Sequence, residues 1–243
     1  MIIDRSVHSL QGIDITQGHV LLIHKDKHWT SFDVVNKVRY MIKKTYNIKK
    51  IKVGHAGTLD PLATGVLVIG IGKETKNLES YQNQVKEYKA EITFGATTPS
   101  YDLETAPQGN FPIDHITKEQ IEETLQQKFN GTIKQTPPIF SAKSVDGVRA
   151  YEAARKGKHV DIKPHTVTVY SSKLHSFEHN KALVSIVCSK GTYIRSIAHD
   201  LGVELSSGAY LSDLVRTKSG GFTIEQSITI SDFEHVLEYN NEV

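Results

Sequence analysis

The sequence predicts a mixed α+β fold with a largely antiparallel sheet flanked by helices. The hydrophobic period changes repeatedly along the chain, between the alternation typical of strands and the spacing typical of helices. Two alternating segments, 166–177 and 182–189, are separated by a short polar turn, which indicates an antiparallel hairpin. With 243 residues and 38% hydrophobic content, the chain can bury a core, and we expect a single domain over 1–243.

The first part of the chain predicts strands and helices in alternation. In the helix at 32–46, the apolar residues fall on one face. In the strand at 85–94, the period of two places Tyr88 on the buried face. The predicted elements are strands at 19–23, 66–71 and 85–94 and helices at 32–46 and 74–81.

The second part begins with a polar connection over 100–116, which contains two prolines. Thr117 and Gln120 have the spacing of a capping box and predict a helix that continues to residue 129. Ser231 and Glu234 predict the start of the last helix in the same way. The other predicted elements are a helical segment at 150–156, the hairpin, a helix at 192–205 and a strand at 210–217.

The composition excludes several classes of protein. A formal charge of +2 is too small to establish a polyanionic partner. The chain has one cysteine, Cys188, so it has no intramolecular disulfide, and its alternating context predicts a small buried thiol. The first residues lack the pattern of a signal peptide, and no stretch is apolar enough to span a membrane. We therefore expect a cytoplasmic protein.

Common catalytic motifs do not match. The stretch GVLVIGIGK at 65–73 is similar to a phosphate-binding loop, but Ile71 stands where the lysine is needed. No nucleophile elbow is present, and none of the twelve histidines has the spacing of a zinc site. The sequence therefore predicts neither a metal nor a cofactor.

A run of basic residues precedes the most unusual loop of the sequence. Seven cations and no acid lie between 37 and 52, and such a run is either a solvated helix face or a surface for a phosphate backbone. Its position immediately before a glycine-rich loop favours the second interpretation. The cations are Lys37, Arg39, Lys43, Lys44, Lys49, Lys50 and Lys52.

That loop, GHAGTLDPLATG at 54–65, contains a single acid, Asp60. One interpretation is a turn in which Asp60 bonds to its own backbone before Pro61. The other is a catalytic carboxylate, because the glycines allow the loop backbone to approach a ligand closely. A carboxylate without metal ligands or a second acid nearby can act as a nucleophile or as a base.

The loop and several later segments of the chain resemble the bacterial TruB-type tRNA pseudouridine-55 synthases. The similarity runs from about residue 18 to 234, and its motifs are ordered along the chain. They are GHAGTLDPLATGVLVIGIGKETK, VKEYKAEITFGATTPSYD, QTPPIFSAKSVDGVRAYEAARKG, CSKGTYIRSIAHDLG and GAYLSDLVRTKSGGF, followed by IEQSITISDF.

The resemblance implies the fold of pseudouridine synthases and an isomerase that needs neither cofactor nor metal. A uridine in the T-loop of tRNA would be detached from its ribose, turned and reattached through carbon. Asp60 would be the nucleophile, acting on the ribose carbon, on the pyrimidine ring or through a glycal-type elimination. Arg195 would pair with it and keep it charged. Tyr88 would stack on the target base and assist proton transfer.

The remaining site residues also follow from the resemblance. Tyr193 and Leu214 would line the uracil pocket, and His55 would fill the space that the flipped base leaves in the T-loop. The segment 135–158 resembles an insertion that clamps the T-arm. We expect a monomer that binds tRNA and has no membrane or guide-RNA partner.

Two departures from the family pattern affect these expectations. The early family stretch K-P-x-G appears here with Asp26 and His28 in place of proline and glycine, which puts the shape of that loop in question. The chain ends without the C-terminal PUA module that most bacterial members carry, so we expect weaker affinity for the acceptor stem. An alternative function is an RNA-binding folding helper, although Asp60, Tyr88 and Arg195 together favour the enzyme.

Overall fold

The computed structural model describes residues 1–140, 144–145, 148–149 and 162–238. Its strands are β1 (Ile2–Ile3), β2 (His19–Lys25), β3 (Val53–His55), β4 (Thr64–Ile71), β5 (Lys86–Phe94), β6 (Gly131–Gln135), β7 (Ser144–Val145), β8 (Val148–Arg149), β9 (His165–Glu178), β10 (Lys181–Cys188), β11 (Ala209–Ser219) and β12 (Phe222–Thr223). Its α-helices are α1 (Ser31–Thr45), α2 (Leu78–Gln82), α3 (Lys118–Thr124), α4 (Ile194–Glu204) and α5 (Ile230–Glu238). The predicted α+β class, with helices and largely antiparallel strands, is confirmed.

The chain divides into two compact units. The first contains Met1–Glu87 and Val215–Val243, and the second contains Tyr88–Leu214. Strands β5 and β11 cross the boundary along the chain, so each contributes residues to both units. The expectation of one domain over 1–243 stays a prediction.

In the first unit the strand order is β1-β2-β4-β11, with β3 also paired to β4 and β12 to β11. Strand β4 is antiparallel to β2 and β3 and parallel to β11. Helix α1 buries one continuous apolar face, as the sequence predicts. The buried apolar residues on that face are Val34, Val35, Val38, Met41 and Ile42. The loop that carries Asp60 therefore joins two paired strands, β3 and β4.

In the second unit the strand order is β11-β5-β10-β9-β6. The predicted hairpin is formed by β9 and β10, and both turn residues, His179 and Asn180, have positive φ. Such a turn matches the twist of an antiparallel pair. Tyr88 lies on the buried face of β5, again as predicted.

Most helix predictions agree with the structure within a few residues. The capping box of Thr117 and Gln120 is present, but α3 ends at Thr124 and continues as a π-helical turn over Leu125–Phe129. The predicted cap of the last helix is wrong. Thr229 and Asp232 cap α5 instead, because the Asp232 carboxylate accepts from Thr229 N–H at 2.9 Å and Asp232 N–H donates to the Thr229 hydroxyl at 3.0 Å.

Some predictions fall on residues that the structure does not describe or describes in part. The helical segment at 150–156 and most of the 135–158 insertion lie outside the described residues. Cys188 is fully buried on β10, which confirms its predicted burial. Among the described helices, none has the length and apolar character needed to cross a bilayer.

Candidate active site

The Asp60 loop is held by helix α1. The hydroxyl of Ser31, the first residue of that helix, accepts from Leu59 N–H at 2.8 Å and donates to the Leu59 carbonyl at 3.1 Å. Ser31 and Leu59 are buried, whereas Asp60 is partly exposed. The start of α1 therefore fixes the backbone directly before Asp60.

A buried cation holds the other side of the loop. The Lys25 ammonium is fully buried and donates to the carbonyls of Asp26 at 2.9 Å, Trp29 at 2.7 Å and Pro61 at 3.4 Å. Burial lowers the pKa of Lys25 to about 8, and the negative charge of Asp60 is the largest influence opposing this shift. Asp60 therefore lies within the electrostatic reach of a buried ammonium group.

The loop at residues 26–30 keeps a glycine-like conformation without glycine. His28 has φ +70°, in the left-handed region, and its N–H donates to the Pro61 carbonyl at 2.7 Å. A non-glycine residue in this region carries a steric cost. His28 thus adopts a backbone conformation that glycine forms more readily, and its N–H bond to Pro61 ties this loop to the one that carries Asp60.

Replacing His28 with glycine should stabilise the fold. We expect His28→Gly to raise the free energy of unfolding by about 0.5 kcal/mol. The steric strain that glycine removes from the left-handed backbone in the folded state is larger than the extra conformational entropy that glycine loses on folding. Urea unfolding of both proteins measures the difference. His8→Gly is the matched control, since His8 is exposed and does not have positive φ. A lower stability for His28→Gly than for the parent would contradict this explanation.

Arg216 supports the loop from β11. Its buried guanidinium donates from Nε to the Val66 carbonyl at 2.8 Å and from Nη2 to the Gly57 carbonyl at 3.3 Å. Gly65 lies beside it with φ +108°, and a Cβ atom there would stand 2.7 Å from the Arg216 backbone nitrogen. The backbone of β4 at position 65 lies so close to the backbone of Arg216 that only glycine fits there.

His55 ends strand β3 on the same unit. Burial is the main cause that lowers the pKa of its imidazole, and the nearby Arg216 charge acts in the same direction. A backbone interaction with Gly57 opposes the shift. The neutral imidazole is therefore favoured near neutral pH.

In the second unit, Arg195 lies in the first turn of α4 and is 3% exposed. Its Nε is 3.7 Å from Oδ2 of Asp102, which is also buried. Its Nη1 donates to the carbonyls of Ser100 and Phe140, each at 3.1 Å. The guanidinium is therefore held in one orientation by groups from two loops.

Tyr193 occupies the N-cap position of the same helix. The Gln135 side chain accepts from Tyr193 N–H at 2.7 Å and donates to the Tyr193 carbonyl at 2.9 Å. The rings of Tyr193 and His165 meet edge to face, with centroids 6.0 Å apart. Tyr193 is thus fixed through both its backbone and its ring.

The predicted site residues are distributed over the two units. Asp60 and His55 belong to the first, whereas the second contains Tyr193, at the N-cap of α4, and Arg195, in its first turn. The second unit also contains Tyr88 on β5 and Leu214 on β11, which are neighbouring strands, and both side chains are buried. The pairing of Asp60 with Arg195 stays a prediction.

Sequence reasoning missed the buried polar residues that support these positions. Lys25 and Arg216 each interrupt an apolar strand pattern, which is a usable signal for a buried cation with backbone partners. Asp102 and Gln135 gave no local signal, because their partners are distant in the sequence. In the described ranges, no cluster of His, Cys, Asp or Glu is arranged to hold a metal ion.

Two family profiles together match residues 43–242 of the chain. The TruB family pseudouridylate synthase N-terminal domain matches residues 43–194, and the tRNA pseudouridylate synthase B C-terminal domain matches residues 195–242. The chain belongs to the TruB family of pseudouridylate synthases. The first profile contains the Asp60 loop, Tyr88 and Tyr193, and the second begins at Arg195.

Relatives within the TruB family are similar over nearly their full length. The tRNA pseudouridine synthase B of Phocaeicola vulgatus is 48% identical over 93% of this chain and 96% of its own. That of Flavobacterium johnsoniae is 48% identical over 91% of this chain and 97% of its own.

Solved structures with a similar fold come from larger proteins. A chain in the crystal structure of a Cbf5-Nop10-Gar1 complex has a TM-score of 0.70 and 29% identity, with 94% of this chain and 56% of that one covered. A chain of an H/ACA RNP bound to a substrate RNA containing 2'-deoxyuridine has a TM-score of 0.66 and 27% identity, with 94% and 56% covered. This chain thus spans a little over half the length of either protein.

Proposed function

We propose that this TruB-family chain is a tRNA pseudouridine synthase that converts uridine 55 of the T-loop to pseudouridine. The observation that carries the proposal is the Asp60 loop, in which separate hydrogen bonds fix the residues on both sides of one partly exposed carboxylate. The relatives named tRNA pseudouridine synthase B support the substrate class.

The reaction is an isomerisation, so its atoms balance without a second substrate. The bond between ribose C1′ and uracil N1 breaks, the base turns, and a bond from C1′ to C5 forms. The proton lost from C5 is balanced by one gained at N1. In our proposal Asp60 is the nucleophile that makes this exchange possible, Arg195 pairs with it, and Tyr88 assists the proton transfer.

The target base must leave its stack before it can react. Base flipping costs a few kcal/mol, which contacts in the pocket have to offset. We assign stacking on the base to Tyr88 and the walls of the uracil pocket to Tyr193 and Leu214. His55, with its neutral ring favoured, fills the space in the T-loop.

The basic run at the end of α1 is our proposed contact for the RNA backbone. Lys43, Lys44, Lys49, Lys50 and Lys52 are exposed, on the same unit as the Asp60 loop. Two other cations of the run have structural partners, since Lys37 is 4.0 Å from Glu234 and Arg39 donates to the Val53 carbonyl. Charge complementarity supports phosphate binding by the exposed lysines.

Salt dependence tests this contact. We expect the double variant Lys43→Gln and Lys44→Gln to reduce the slope of log affinity against log salt by about 1 for each lysine. Fluorescence anisotropy with labelled tRNA at several salt concentrations measures the slope. The control is Lys128→Gln with Lys181→Gln, which removes two exposed lysines that pair with Glu204 and Glu91. Equal slopes for all three proteins would contradict the assignment.

Mapping of pseudouridine tests the function directly. Transcribed tRNA is incubated with the purified chain and no other macromolecule, and each nucleotide is then examined for pseudouridine. We expect one product, at position 55, which would also support action without a guide RNA. Binding and refolding of tRNA without any pseudouridine would favour the RNA folding helper instead.

The cytoplasmic location and the monomeric state are also proposals, and sedimentation of the purified chain tests the monomeric state.

A further inference from the structure

The segment that opens the 135–158 insertion is bonded to the first turn of α4. Besides the two hydrogen bonds from the Gln135 amide to Tyr193, the Ser196 hydroxyl donates to the Thr136 carbonyl at 2.8 Å. Arg195 Nη1 donates to the Phe140 carbonyl at 3.1 Å. The N-cap residue of α4, Tyr193, and two residues of its first turn, Arg195 and Ser196, are therefore attached to the start of one segment.

Gln135 makes the most specific of these contacts. Its side chain is 1% exposed, and both ends of its amide are used on one residue, Tyr193. Tyr193 has φ −92° and ψ 105°, and its own side chain makes no capping hydrogen bond. Gln135 on β6 thus satisfies an N–H group that the start of a helix leaves without a helical partner.

The ring of Tyr193 has little freedom once its backbone is fixed. His165 meets it edge to face, and His165 Nε2 donates to the Gly191 carbonyl at 3.0 Å. A shift of the Gln135 amide would therefore move the Tyr193 backbone relative to a ring neighbour that is anchored elsewhere. Small displacements of positioning groups have large effects on reaction rates.

We propose that Gln135 is a positioning residue, which sets the place of Tyr193 and the first turn of α4 and so links the start of the insertion to the uracil pocket. The inference rests on the proposed function, because Tyr193 matters to the rate only if it lines that pocket. Gln135 touches neither the substrate nor the reacting atoms in this scheme. It acts through Tyr193.

The variant Gln135→Glu gives a test that depends on pH. A carboxylate accepts from Tyr193 N–H but cannot donate to the Tyr193 carbonyl, whereas the protonated acid does both. Burial raises the pKa of a carboxyl placed there. We expect the single-turnover rate of pseudouridine formation to fall about 10- to 100-fold at pH 8 relative to the parent, and to recover partly toward pH 6. The affinity for tRNA should stay within about twofold.

Two further variants separate positioning from general stability. Gln126→Glu is the matched control, because Gln126 is exposed and also donates to a carbonyl, that of Ser172 at 3.1 Å, in the same unit. It should keep the parent rate at every pH. Gln135→Met has similar length but no donor, so its rate should be low and should not recover at pH 6.

Several outcomes would overturn the inference. A folded Gln135→Glu protein with the parent rate at every pH would show that the amide does not position the pocket. Circular dichroism measures whether the two Gln135 variants fold. If neither folds, the residue is needed for the stability of the fold instead. If the parent itself forms no pseudouridine, the proposed function fails first, and that result is distinct from both.

Discussion

Asp60→Asn should abolish pseudouridine formation while tRNA affinity stays within about twofold of the parent. An amide is a poor nucleophile, so we expect the single-turnover rate to fall on the order of 10⁴-fold or more. The loop itself should persist, because Ser31 holds the Leu59 backbone and both Lys25 and the His28 N–H hold the Pro61 carbonyl. Pseudouridine release assays and binding titrations on the same samples measure both quantities.

Asp26→Asn is the matched control for this change. Asp26 is exposed, and its negative charge, like that of Asp60, opposes the lowered pKa of Lys25. If Asp60 acted only by balancing the buried ammonium, both variants should lose activity to a similar extent. We expect Asp26→Asn to retain the parent rate. Undiminished product formation by Asp60→Asn would remove the catalytic assignment altogether.

The second large effect is expected at Asp102. In Asp102→Asn the Arg195 guanidinium loses its described carboxylate neighbour while it stays buried. Breaking a buried ion pair from one side typically costs about 3 kcal/mol of the free energy of unfolding. If Arg195 is also the partner of Asp60, the single-turnover rate should fall about 100-fold as the guanidinium is displaced. Denaturant unfolding and rate measurements give the two values.

Glu204→Gln provides the comparison, because Glu204 lies on the same helix as Arg195 and pairs with Lys128 at 3.4 Å in an exposed position. Exposed pairs contribute little, so we expect a loss below about 1 kcal/mol and an unchanged rate. Equal destabilisation by the two variants would mean that burial does not distinguish these pairs. A stable Asp102→Asn protein with the parent rate would contradict the proposed role of Arg195 in catalysis.

The parts of the fold that the sequence predicts are those determined by neighbouring residues. The β9–β10 hairpin follows from alternation on both sides of a turn whose residues accept positive φ. The buried face of α1 follows from spacing alone, and so does the burial of Tyr88 on β5. The cap of α5 shows where this reasoning fails, since two capping patterns overlap and Thr229 with Asp232 forms the cap.

The support of the site depends on contacts between distant positions, which periodicity does not encode. Gln135 and Tyr193 are 58 residues apart, and Ser31 and Leu59 are 28 apart. Each pair joins a buried side chain to backbone groups that would otherwise lack partners. The candidate catalytic positions are predicted because their motifs resemble those of a family. The residues that hold these positions in place are identified only from the three-dimensional structure.

The complete burial of Cys188 has a practical consequence for studying this protein in solution. It is the one thiol in the sequence, and its side chain lies inside the sheet. A cysteine introduced on the surface of α1, for example by Tyr40→Cys at an exposed position, would therefore react with a maleimide dye while the native thiol is protected. Fluorescence from that single label would report RNA arrival in real time, with no need to remove the natural cysteine first.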